Sequence, residues 1–132
     1  MAELHAGLQL QQAQEQPEVG MCRGCYVRCC VLFTAQVLKA IAAGERVIIL
    51  DERGKDASSE DMARLLIKAS DDGTPLCFVI GGPFGHGPAV MQRADESVRV
   101  SRMVLNHSVA YVVLVEQLYR AWTIVRGEPY HH

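Results

Sequence analysis

The sequence predicts an α/β fold: a parallel β-sheet with helices on both faces. Three observations predict it. Two short, uninterrupted apolar runs, Val47–Leu50 and Leu76–Ile80, read as strands buried on both sides. Between and after them lie stretches with helical apolar spacing, and strand–helix alternation returns the chain to one parallel sheet. A Gly/Pro loop, GGPFGHGP, follows the second apolar run directly and leads into a further helical stretch.

In chain order, the first 20 residues are polar and Gln-rich, and residues 21–33 hold a cysteine-rich patch. Residues 1–33 are therefore expected to be an atypical, mobile N-terminal segment, with the folded domain over 34–132. Thr34 is suited to cap a short helix through Ala43, ended by Gly44. After the strand Val47–Leu50, the residues Asp51–Lys55 (DERGK) read as a loop. Ser58 or Ser59 caps a helix whose apolar positions Met62, Leu65, Leu66 and Ala69 follow helical spacing, and Asp72-Gly73 stops it. After the second strand and the Gly/Pro loop, a short helix runs from Pro88 to Ala94, with proline in its first turn. Val98–Ser101 is a third strand. Asn106 caps a long helix through Val125, and Gly127 ends it. Apolar residues lie on more than one face of that helix, so it is expected to be largely buried. Three strands make a narrow sheet; Tyr26–Phe33 is the candidate for a fourth.

The 132 residues suit one domain, and 49% hydrophobic with 21% charged residues is an ordinary globular composition. The net charge of −2 carries no basic excess, so composition by itself argues mildly against a nucleic-acid partner. Five cysteines and no recognisable secretion signal suggest reduced thiols inside a cell. No apolar run approaches the roughly 20 residues of a membrane span. The first 20 residues contain no arginine, unlike an organellar transit peptide.

The turns after the three strands, Asp51–Lys55, Gly81–Pro88 and Arg102–His107, are candidates to share one rim, because open α/β sheets bind ligands at the carboxyl ends of their strands. The Gly81–Pro88 loop reads either as a tight strand-to-helix turn or as a ligand loop. Pro83 and Pro88 lack the N–H donors of a phosphate cradle. Gly81 and Gly82 permit close approach to a flat ligand such as adenosine. Asn106-His107 is either a simple cap or a helix N-terminus facing a carboxylate or oxyanion. Tyr119, Trp122 and Tyr130 with His131 make an aromatic, histidine-bearing end able to contact an unpaired base. Cys22, Cys25, Cys29 and Cys30 include one C-x-x-C without a second knuckle, and no metal ligand set is assigned. Asp51 and Glu52 are adjacent carboxylates in a turn.

The segments ERVIILDERGK (45–55), FVIGGPFG (78–85), VSRMVLNH (100–107) and EQLYRAWTIVRGEPYHH (116–132) resemble the RlmH family, SPOUT-class methyltransferases acting on a pseudouridine of large-subunit ribosomal RNA. The resemblance covers about residues 36–132. It implies a SPOUT-type α/β knot with a C-terminal trefoil knot, a homodimer, S-adenosyl-L-methionine as cofactor, and ribosomal RNA rather than DNA or a membrane as partner. Carried over, the cofactor residues are Leu50, Gly81, Val100, Ser101, Arg102, Met103, Val104 and Leu105. The candidates for proton transfer are His107, Tyr130 and His131, with Arg120 as a clamp on RNA phosphate. Asn106 stands where many bacterial members have proline, as in the plant and algal branch. For such a source the resemblance implies a chloroplast or other organelle, and otherwise the cytoplasm. The family's usual N-terminal strand motif is absent from residues 1–33. A second reading is therefore a relic that binds cofactor or dimerises without catalysis.

Overall fold

The computed structural model describes residues 19–22, 25–31, 34–82 and 85–131. The described elements are β1 (Val19–Cys22), β2 (Cys25–Val31), α1 (Thr34–Ala40), β3 (Arg46–Asp56), α2 (Ser59–Asp72), β4 (Leu76–Ile80), α3 (Pro88–Arg93), β5 (Glu96–Arg99) and α4 (His107–Arg126). They form one five-stranded sheet in the order β1-β2-β4-β3-β5. β2, β4, β3 and β5 run parallel, and β1 is an antiparallel strand on β2.

The fourth strand expected near Tyr26–Phe33 is β2. It lies N-terminal to the expected boundary at residue 34, yet Val27 and Cys29 are buried in the core beside Phe78 and Leu114.

The continuous apolar runs are buried for the reason their sequence suggests. Successive residues point to opposite faces, and both faces are covered. Ile48, Leu50, Leu76, Phe78 and Ile80 face α2 and α4, packing on Met62, Leu66, Leu114 and Leu118. Val47, Ile49, Cys77 and Val79 face α1 and α3, packing on Val37 and Val90. The result is a three-layer α/β/α domain.

Cap chemistry decides where the helices begin and end. Ser58 rather than Ser59 caps α2. Its hydroxyl accepts from the Asp61 N–H at 3.1 Å, and the Asp61 carboxylate accepts from the Ser58 N–H at 2.9 Å. Gly73 and Gly127 close α2 and α4 in the left-handed conformation. The Ser58 backbone N–H, then its hydroxyl and Arg64, hold the Asp61 carboxyl at about 2. A carboxyl depressed in the folded state stabilises above its unfolded pKa, and that contribution is lost as pH falls through the folded one. Asp61→Asn is therefore expected to lower the urea midpoint at pH 7. Its deficit against the unsubstituted protein should close as pH drops from about 4 towards 2. A deficit unchanged across that window would disconnect the cap from the titration.

Four expectations need correction. α1 ends at Ala40 rather than Ala43. The third strand, β5, spans Glu96–Arg99 rather than Val98–Ser101. DERGK is not a free loop: β3 continues through it to Asp56, with an irregularity between Leu50 and Lys55 that brings both residues opposite Val98. The bulge needs Gly54, where a Cβ would lie 2.7 Å from the Val98 carbonyl carbon. Finally, α4 is buried mainly along one face, through Ala110, Leu114, Leu118 and Ala121, with Thr123 buried near its C-terminal end; Val109, Val112, Val115 and Tyr119 are exposed.

Candidate functional site

The three turns meet. Leu50 and the β3 bulge, the turn after β4, and the segment from β5 to the start of α4 line one cleft of about 580 Å³. That volume lies in the range of small-molecule sites, and its place at the carboxyl ends of parallel strands is where such folds bind ligands. Each wall has a local cause. The bulge at Gly54 turns Asp51, Glu52 and Arg53 towards the rim. The turn after β4 is shaped by Gly85, at φ +74, whose N–H donates to the Gly82 carbonyl at 3.0 Å. The third wall is held at its ends. Ser101 Oγ accepts from the Met103 N–H at 2.9 Å, and Asn106 Oδ1 accepts from the Ser108 N–H at 2.9 Å as the α4 cap.

Gly81 is more constrained than its sequence suggests. A Cβ there would meet the Gly85 backbone at 2.9–3.1 Å. The close approach is within its own loop, so Gly81 lets the turn fold rather than only admitting a ligand.

The cleft has an apolar floor (Leu50, Ile80, Val98 and Leu105) and a charged rim. Burial pushes the Asp51 carboxyl up. The Arg53 N–H at 2.8 Å, the Arg53 guanidinium and the nearby His86 outweigh it, and the net shift is downward. Asp51 therefore presents a carboxylate at neutral pH. Arg99, also lining the cleft, donates to Asp56 at 2.7 Å. The N-terminus of α4, with Asn106 and His107, also lines the cleft, and the positive end of the helix dipole there favours negative charge. The arrangement suits an elongated ligand with one apolar part and both charge signs elsewhere.

Of the residues expected at a cofactor site, Leu50, Gly81, Val100, Ser101, Met103, Val104 and Leu105 line the cleft. Arg102 does not; its side chain is 83% exposed and reaches Asp56 at 3.5 Å. His107 lines the cleft, but Arg120, Tyr130 and His131 do not. Arg120 lies more than three turns further along α4, about 20 Å at 1.5 Å per residue. There it pairs with Glu116 at 2.7 Å and lies over the Tyr130 ring. Tyr130 packs edge-on against Tyr119 at 5.0 Å, and His131 Nε2 is 2.9 Å from Glu60. The C-terminal candidates thus form a second cluster on α4 and the start of α2. Trp122 is near Arg126 instead. Of the cysteine patch, Cys29 is buried in the core, and the side chains of Cys22, Cys25 and Cys30 lie outside the described residues. No group of three His, Cys, Asp or Glu fit to hold a metal occurs among the described residues.

Two cleft residues were not singled out in the sequence. Arg99 could have been found as the last residue of a strand. His86 could have been found as the one imidazole in a Gly/Pro loop; its Nε2 is 2.7 Å from the Leu50 carbonyl oxygen.

Comparison with known proteins places this geometry in context. The family described as "Predicted SPOUT methyltransferase" matches residues 32–131. An Arabidopsis thaliana protein whose name marks it as a candidate RNA methyltransferase is 52% identical over 97 residues, 73% of this chain and 50% of the relative. Ribosomal RNA large subunit methyltransferase H of Syntrophotalea carbinolica is 50% identical over 98 residues, 74% of this chain and 63% of the relative. The protein of the same name from Polynucleobacter necessarius is 46% identical over 96 residues, 73% of this chain and 71% of the relative. The chain therefore spans half to under two thirds of the length of the first two relatives.

Proposed function

The chain belongs to the SPOUT methyltransferase family, and from that premise we propose that it transfers a methyl group from S-adenosyl-L-methionine to N3 of a pseudouridine in large-subunit ribosomal RNA. The observation that carries the proposal is the convergence of Leu50, Gly81 and Met103 on one cleft. The fit to the cofactor is chemical as well as spatial. An apolar floor suits the adenosyl group, the Asp51 carboxylate suits a cationic ammonium or sulfonium, and the α4 N-terminus suits a carboxylate. When bound, the cofactor supplies a methyl already activated on sulfonium.

The protein's own residues then have two tasks. They must hold the acceptor nitrogen in line with that methyl and take up its proton. His107, at the mouth of the cleft, is the proposed proton acceptor. Val100, Ser101, Met103, Val104 and Leu105 are proposed to hold the cofactor with Leu50 and Gly81, while Arg102, turned out towards Asp56, is assigned to the rim beside it.

We further propose a homodimer built on α4. Val112, Val115 and Tyr119 recur on one helical face, and Met103 and Val104 beside its N-terminus are 73% and 82% exposed. A contiguous apolar stripe at an active-site helix favours a protein partner. A second copy gives the distant cluster a role: Tyr130, His131 and Arg120 of one copy serve the cleft of the other, contacting the RNA. The C-terminal trefoil knot typical of the SPOUT class is part of the same proposal. For a plant or algal source the target is an organellar ribosome, and otherwise a cytoplasmic one. No helix among the described residues is long and apolar enough to cross a membrane.

The test is methyl transfer from radiolabelled S-adenosyl-L-methionine to ribosomes that carry the pseudouridine and lack its methyl group. Label is expected in large-subunit RNA, at one pseudouridine N3. Folded protein that incorporates none would overturn the proposal.

A further inference from the structure

We infer that His86 is a positioning residue, the clasp that sets the spacing between the two walls of the cleft that receive the adenosyl group. The inference rests on the reading of the cleft as a cofactor site and assigns a residue to it that neither sequence pattern nor resemblance supplied.

The argument starts from the loop. Residues 81–88 include Gly81, Gly82, Gly85 and Gly87, and glycine-rich backbone loses the most freedom on ordering. Such a turn needs a fastening if it is to form a fixed wall. Its near end is fixed to β3 by the sheet pairing of Ile80 with Leu50, and the Gly85 N–H to Gly82 carbonyl bond shapes the turn, but neither ties its far half, Gly85–Gly87, to β3. The link to β3 is the His86 side chain, whose Nε2 lies 2.7 Å from the Leu50 carbonyl oxygen. A carbonyl oxygen has no proton to give, so Nε2–H is the donor. The neutral Nε2–H tautomer and the imidazolium both supply it.

The position of this bond matters. Leu50 is the last buried residue before the β3 bulge, and it lines the cleft. Both Leu50 and His86 line the cleft, as do Gly81 and Gly82 at the other end of the same turn. The bond is partly buried, so water competes with it less than at an open surface. His86 also contributes to holding the neighbouring Asp51 carboxyl in its charged form. One side chain thus ties the far half of the β4–α3 turn to the end of β3, beside the cleft that both line.

The test is titration of S-adenosylhomocysteine by calorimetry into the full chain and three variants. His86→Ala is expected to bind about fivefold to tenfold more weakly, the range for losing one net hydrogen bond. The decisive pair is His86→Gln and His86→Asn. The glutamine amide nitrogen reaches as far as Nε2, while the asparagine amide stops nearer the backbone at the Nδ1 position. Gln is therefore expected to restore most of the affinity and Asn none. A general loosening of the loop would not separate those two variants. Equal affinity of Gln and Asn, or of Ala and the unsubstituted protein, would overturn the clasp and leave the cofactor reading standing. An unsubstituted protein that binds no S-adenosylhomocysteine would overturn that reading, and the clasp with it.

Discussion

The Gly81→Val substitution is expected to cut methyl transfer by roughly tenfold to hundredfold at cofactor concentrations below the weakened Kd, while leaving the domain folded. Even a single Cβ at position 81 would stand 2.9 Å from the Gly85 carbonyl carbon and 3.1 Å from its Cα and oxygen. These are backbone atoms, so no side chain can swing aside. The turn must open, and with it the bond from the Gly85 N–H to Gly82 that shapes it. Forcing excess volume into a closed site costs about 1–3 kcal/mol. Here the cost falls on a turn at the sheet edge rather than on the core, because Ile80 and the strand before it keep their neighbours. Spent on the binding-competent shape, it amounts to roughly tenfold to hundredfold in cofactor affinity. Calorimetric titration with S-adenosylhomocysteine reads the loss, and thermal unfolding checks the fold. Affinity within a factor of two of the original would show that the turn is not the cofactor wall.

The contrast between Gly81 and its surroundings shows what the sequence made legible. The strands Val47–Leu50 and Leu76–Ile80 were readable because burial on both faces demands unbroken apolar residues, and every one of them is buried. The convergence of three turns was readable too, since parallel strands place their carboxyl ends on one edge. The bulge was not. Asp51–Lys55 is charged and carries a glycine, the composition of a loop. It is nevertheless strand because β5 pairs on both sides of the irregularity. That pairing is a long-range fact, invisible to local pattern. The exposed face of α4 misled for a related reason: apolar residues on two faces predict burial, but they do not say whether this chain or another copy supplies the cover. The separation of His107 from Tyr130 and His131 was likewise hidden. Family blocks read one by one do not record that one helix separates them, with His107 about 20 Å along its axis from Arg120 and the tail packed beyond.

That separation generates the last expected result, complementation between two inactive variants. The proposed function assigns the cleft to one copy and the Tyr130–His131 cluster to its partner. In His131→Ala homodimers every cleft meets a defective tail, and in Gly81→Val homodimers every tail meets a defective cleft. Both are expected to be nearly inactive. In a mixed dimer, the copy carrying His131→Ala keeps a sound cleft and receives the intact His131 of its partner. The other cleft in that dimer receives the two defects together. One site in two therefore works. Random exchange makes half of the dimers mixed, so the mixture should recover about a quarter of the original activity, as two-fold symmetry requires. Methyl incorporation into ribosomes reads the recovery, and native mass spectrometry verifies the exchange. A verified mixture no more active than its parents would mean that each copy completes its own site. A fully active His131→Ala protein would remove the tail from the reaction. The tail is held in the structure by His131 on Glu60 and Tyr130 on Arg120 and Tyr119, contacts that keep it along α2 and α4. It follows that a role for these residues in this chain's own cleft requires all of those contacts to break. A role in the partner's cleft requires only that a second copy bring that cleft to them.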